Sequence, residues 1–85
     1  KKIFEQFRDF KYTLILLESS HRIVASLKDL VEVIGKNRTI CVAREMTKIH
    51  EKFHVGHAES VTREVAEGIT KGEFVLLIAK EGYEL

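Results

Sequence analysis

Thr13-Leu-Ile-Leu-Leu-Glu-Ser-Ser-His-Arg22 is the stretch on which the fold turns. Leu14 to Leu17 is apolar without interruption, the pattern of a short strand covered on both faces. It gives way at once to ionisable groups at Glu18, His21 and Arg22. Ser19 and Ser20 stand between, and either is suited to cap a following helix by accepting a hydrogen bond from a free backbone N–H. The segment therefore reads as a buried strand that hands over to a helix, with polar groups gathered at the strand's carboxyl end. That end of a sheet is where open α/β folds place ligands.

Working outward, Ile3, Phe4, Phe7 and Phe10 recur at helical spacing and predict an amphipathic helix over 2–10 that covers the sheet. After the strand at about Tyr12 to Glu18, the residues Ile23, Val24, Leu27, Leu30, Val31 and Ile34 predict a helix with one apolar side, closed by Gly35. Lys36-Asn37-Arg38 is a polar turn before a second strand at Thr39 to Ala43. From Met46 to His57 the pattern weakens, which predicts a short helix or an ordered loop. Ala58, Val61, Val65, Ala66 and Ile69 then give a helical stripe closed by Gly68, and Lys71-Gly72 turns into a third strand from Glu73 to Ala79. Three strands alternating with helices make an α/β domain, a small mixed sheet of about three strands flanked by helices.

With 85 residues there is room for one small domain, which buries only about 60–65% of its unfolded surface. The chain opens on Lys1-Lys2 without an initiating methionine and is read as a fragment of a longer polypeptide. Fourteen basic and 13 acidic side chains leave a formal charge of +1, so no global field draws it to nucleic acid or membrane, and any basic surface is local. No apolar run approaches the roughly 18–20 residues of a membrane span. The single cysteine, Cys41, lies within an apolar run and has no partner for a disulfide, which fits a reducing, cytoplasmic setting. Mid-strand burial also argues against a nucleophilic thiol there.

His50-Glu-Lys-Phe-His54 matches the H-E-x-x-H pattern of zinc hydrolases, and His57 follows as though supplying a third ligand. The pattern needs a stable helix through both histidines, and Gly56 follows too closely for that. The segment is read as polar and solvated, with no metal site. Arg22, Arg44 and Lys48 each follow a strand end and would form a phosphate-binding patch if they met on one rim; taken by spacing alone, ordinary surface charges are the simpler account. Glu18 and Glu45 are open to either of two roles, a carboxylate pair for acid–base work or partners for the neighbouring arginines. No P-loop or G-x-G-x-x-G is present.

The residues themselves carry more than their spacing. Thr13 to Leu30, Val42-Ala-Arg-Glu-Met-Thr-Lys-Ile-His-Glu51 and Lys71-Gly-Glu-Phe-Val-Leu-Leu-Ile78, in that order, resemble the carboxyl-terminal half of a ribosomal RNA methyltransferase of the tetrapyrrole methylase family. Lys1 to Phe10 is similar to the helix that follows an F-L-P segment there. The resemblance implies a two-domain enzyme that uses S-adenosylmethionine to methylate a cytidine ribose 2′-hydroxyl in small-subunit ribosomal RNA. Residues 1–85 would be a partial second domain, lacking the amino-terminal cofactor domain and its own opening strands, and inactive alone. It further implies that Thr13 to Leu17 is an interior strand, and that Glu18, His21, Arg22, Arg44, Glu45, Thr47 and Lys48 line the cleft between domains. A family-type homodimer, or one through sheet edges, belongs to the same expectation. The competing account is a non-catalytic α/β module that pairs with partners through an exposed sheet edge.

Two departures from the family pattern stand out. Ser20 replaces the proline of E-S-P-H-R, which suits a first helical turn. Val55-Gly-His-Ala58 replaces R-G-T-L, so a threonine cap worth typically about 1 kcal/mol is missing before the last helix.

Overall fold

The computed structural model describes residues 2–45, 51–68 and 71–84. Expectations that fall on 46–50 and 69–70, among them the site residues Thr47 and Lys48, the first histidine of the H-E-x-x-H pattern and Ile69, lie outside the described residues. Seven elements follow in order: α1 (Lys2–Phe7), β1 (Leu14–Ser19), α2 (Ile23–Ile34), β2 (Thr39–Glu45), β3 (Glu51–His57), α3 (Ala58–Glu67) and β4 (Glu73–Ile78). The α/β class expected from the sequence is what is seen. The sheet has four strands in the order β1-β4-β2-β3, and each of its three pairings is antiparallel.

The added strand is β3, in the stretch expected to be a short helix or ordered loop. It pairs with β2 from Thr39↔His57 to Glu45↔Glu51. Because β1 and β2 both run antiparallel to β4, they run the same way, and their carboxyl ends lie at one end of the sheet.

Registers across the sheet sort its side chains onto two faces. Leu14, Ile78, Ile40 and Gly56 form one row, and Leu16, Leu76, Val42 and His54 the next; Glu18, Phe74, Arg44 and Lys52 complete this face. The helices lie over it. Ile23, Leu27 and Leu30 of α2, Ala58, Val61 and Val65 of α3, and Phe4 of α1 close a core with Ile40, Val42, Phe74, Leu76 and Ile78. Burying a large aliphatic or aromatic side chain is worth about 1.5–3 kcal/mol, so this layer is the main source of stability.

Against expectation, β1 is an edge strand of the described sheet, and it is covered on one face only. Leu14 and Leu16 reach the core, whereas Ile15 and Leu17 are exposed. An unbroken apolar run signals two faces to be covered, and the helices described here supply cover for one.

Helix boundaries also shift. After Phe7 the chain turns, with Phe10 N–H donating to the Phe7 carbonyl, and Phe7, Phe10 and Tyr12 stack edge to face at 5.0 and 5.6 Å. Phe10 thus serves the connection to β1 instead of a longer helix. The serines do not cap α2: Ser19 ends β1, its carbonyl accepts from Arg22 N–H in a turn, and the residue before the helix is Arg22, with no side-chain cap. Gly35 closes α2 as expected, at φ 115°, where a side chain is disfavoured, and its N–H reaches the carbonyls of Leu30 and Val31.

Candidate functional site

The site residues expected from the sequence gather, where described, at the sheet end that carries the carboxyl termini of β1 and β2. Glu18 is placed by β1 on the helix-covered face, where one carboxylate oxygen accepts from Ser26 Oγ of α2 at 2.6 Å. The other accepts from the Ser19 N–H at 3.1 Å and faces Arg22 Nε at 3.7 Å. Glu18 is therefore held in one orientation by a buried hydroxyl and a backbone donor, while Arg22 extends into solvent with most of its side chain exposed. His21 is exposed in the same turn.

Arg44 stands in the same row as Glu18, with Phe74 of β4 between them. It is one of the buried polar residues, and it lines a cavity of about 360 Å³ with Lys52, His54, Glu64, Glu67 and Phe74. His54 Nδ1 lies 2.9 Å from Glu64 Oε1 across the β3–α3 junction. Glu45 closes β2 in register with Glu73 and Glu51. Glu18 and Glu45 are on strands separated by β4, about 10 Å apart in the backbone.

The structure thus brings Glu18, Arg22, Arg44 and Glu45 to one rim and leaves His21 exposed at its edge. Lys52, His54 and Glu64 were not among the residues expected there. Their signal was present in the alternation of Lys52 and His54 with Phe53 and Val55, which is the period of a strand.

The first histidine of the H-E-x-x-H pattern lies outside the described residues, and the strand bears only on His54 and His57. Successive side chains of a strand point to opposite faces, so His54 and His57 lie on opposite sides of the sheet and do not converge on one ion. Among the described residues no group of three potential metal ligands comes together.

Gly56 and His57 acquire structural roles. Gly56 adopts φ 154° at the approach to α3, a conformation that favours glycine. His57 precedes α3 without a side-chain cap, but Ala58 N–H donates to the Arg38 carbonyl at 2.8 Å and Glu59 N–H to the Lys36 carbonyl at 3.0 Å. The polar turn before β2 thus satisfies the first two of the helix's free N–H groups.

Cys41 points to the other face of the sheet and is half-buried, where desolvation pushes its thiol pKa up, away from a reactive thiolate. No described helix is long and apolar enough to cross a membrane.

No family model matches the chain. Among curated proteins it is similar to ribosomal RNA small subunit methyltransferase I of Synechocystis sp., with 45% identity over 67 residues, 79% of this chain and 24% of the relative. The protein of the same name from Rickettsia prowazekii is 40% identical over 79 residues, 93% of this chain and 28% of the relative. That from Escherichia coli O157:H7 is 43% identical over 75 residues, 85% and 25% respectively. The chain spans about a quarter of the length of these relatives. Over the residues it spans, the chain belongs to the family of ribosomal RNA small subunit methyltransferase I.

Proposed function

We propose that this chain is the carboxyl-terminal part of an S-adenosylmethionine-dependent methyltransferase that acts on a cytidine ribose 2′-hydroxyl of small-subunit ribosomal RNA in the cytoplasm. The observation that carries the reading is the common end of β1 and β2. There a fixed carboxylate at Glu18, an exposed guanidinium at Arg22 and a buried one at Arg44 share a rim. Guanidinium groups hold phosphate oxygens in fixed geometry, and a carboxylate fixes the guanidinium in turn. Glu18, His21, Arg22, Arg44, Glu45, Thr47 and Lys48 form the RNA-facing wall of a cleft whose other wall belongs to the rest of the polypeptide.

The side chains described here do not suit the cofactor by themselves. The rim cavity sets two basic side chains, Arg44 and Lys52, against two acidic ones, Glu64 and Glu67, and so offers no net charge that would select a sulfonium cation. The cofactor belongs to the missing amino-terminal domain, and no chemical step is assigned to residues of this chain; their work is to bind and orient the RNA, which is where a methyl transfer gains most. By itself the chain is expected to be inactive.

The test uses the full-length protein. Arg22→Ala and Arg44→Ala are expected to weaken binding of small-subunit ribosomal RNA at least tenfold and to flatten its salt dependence. Because Arg44 is buried, Arg44→Met serves as a second variant that keeps much of the packing volume while removing the charge and its N–H donors. Unchanged RNA affinity and turnover in all three would overturn the assignment.

A further inference from the structure

The sheet face turned away from the helices carries two adjacent apolar rows across all four strands, and the next row in register towards the rim is Ser19, Glu73, Glu45 and Glu51. Ile15, Leu77, Cys41 and Val55 form one row, and Leu17, Val75, Ala43 and Phe53 the next. Leu17 is 81% exposed, Ile15 61%, Phe53 59% and Val55 51%. A sheet with one wet face alternates apolar inward and polar outward. Here β3 does the reverse: His54 and Lys52 turn to the helix side beside Glu64, and Phe53 and Val55 turn outward. In β1 both faces are apolar. At one end of the face, Thr13, Cys41, Val55, Leu77, Ala79 and Tyr83 line a cavity of about 300 Å³, room for a large apolar side chain.

We infer that this face is a docking surface for the amino-terminal remainder of the same, longer polypeptide, which lays the apolar stripe of an amphipathic helix across β1, β4, β2 and β3. The inference rests on the reading of the chain as part of a longer protein, whose relatives extend over about four times its length. Size argues for an occupant in the same chain over a second copy. Four strands about 4.8 Å apart and two side-chain rows give an apolar patch of roughly 300 Å² in projection. A stable complex between separate molecules buries about 800 Å² per partner. A helix about 10 Å wide covers much of the face, and a covalent link supplies the effective concentration that small area lacks.

The experiment compares the full-length protein with its Leu17→Lys, Phe53→Lys and Leu17→Met variants, with Ala25→Lys on the exposed side of α2 as control. The readouts are thermal unfolding, alkylation of Cys41 followed by mass spectrometry of its peptide, and sedimentation. The two lysine variants are expected to lower Tm by about 5 °C or more, consistent with loss of a packed contact in a protein of this size. They are also expected to speed Cys41 alkylation at least tenfold, while Leu17→Met and Ala25→Lys match the unsubstituted protein. Unchanged unfolding and labelling in both lysine variants overturns the proposal. So does a dimer that either variant splits into monomers of unchanged Tm, since the occupant is then a second copy. Methyl transfer to ribosomal RNA by the unsubstituted protein is measured alongside; its absence would count against the proposed activity and leave the docking result standing.

Discussion

Ser26 is the residue through which β1 and α2 agree on where the rim should be. Its hydroxyl is buried and donates to Glu18 at 2.6 Å, so the carboxylate keeps an acceptor role that water would otherwise fill. A hydrogen bond to a charged group contributes about 1.5–3 kcal/mol, and Glu18 retains some solvent contact, which places the effect at the lower end. Ser26→Ala is therefore expected to cost about 1–2 kcal/mol in urea unfolding and to loosen Glu18, whereas Ser26→Thr, which keeps the donor, recovers part of it if its methyl is accommodated. A serine within an apolar helical side was visible in the sequence, but its partner eight residues earlier was not. The Ser19-Ser20 pair next to the strand looked the better cap, yet Ser19 became the last residue of the strand, and the turn took the bond that a cap would have made. Glu18 itself was legible as the polar end of the strand because charge follows the apolar run so abruptly.

Between α3 and the turn before β2, the element boundary is set by backbone instead of side chains. The carbonyls of Arg38 and Lys36 take the N–H groups of Ala58 and Glu59. Restoring the family's threonine by His57→Thr is therefore expected to change stability by less than about 0.5 kcal/mol, well under the 1 kcal/mol of an ordinary cap. A gain of a full kcal/mol in chemical unfolding would show that the turn does not do this work. Three strands and the three described helices, the first of them shorter than expected, were legible because long apolar runs and 3.6-residue stripes leave few alternatives. β3 was not, since Lys52 and His54 face inward and Phe53 and Val55 outward, the inverse of a strand with one wet face. The histidine spacing of the same stretch also mimicked a helical metal motif. The edge position of β1 was not legible either, because its composition records the cover of two faces and is silent on which strands pair with it.

At the scale of the molecule, distant segments are clamped by one side chain that the sequence presents only as a turn residue. Arg38 donates through Nη1 to the Ala79 carbonyl beyond β4 at 3.1 Å and through Nη2 to the Arg8 carbonyl after α1. Beside it, Thr39 Oγ1 donates to the Tyr83 carbonyl at 3.1 Å. These contacts join the beginning, middle and end of the chain at the sheet end opposite the Glu18 rim. They hold the α1 connection and the segment after β4 in place where neither has a large buried face of its own. A small domain of this size has little stability to spare, so tying down its terminal segments matters more than in a larger fold. Arg38→Met keeps the length of the side chain and removes both donors, leaving two carbonyls to find water. The expected cost is about 1–3 kcal/mol, and amide hydrogen exchange should accelerate around residues 8–12 and 79–83 ahead of the core strands β2 and β4. Arg38→Lys places a single charged group where a planar fork spans two carbonyls, and is expected to recover only one of the two protected regions. If both substitutions leave exchange at the two regions unchanged, the clamp is not what fixes the termini, and the packing of Phe4 in the core must hold α1 without it.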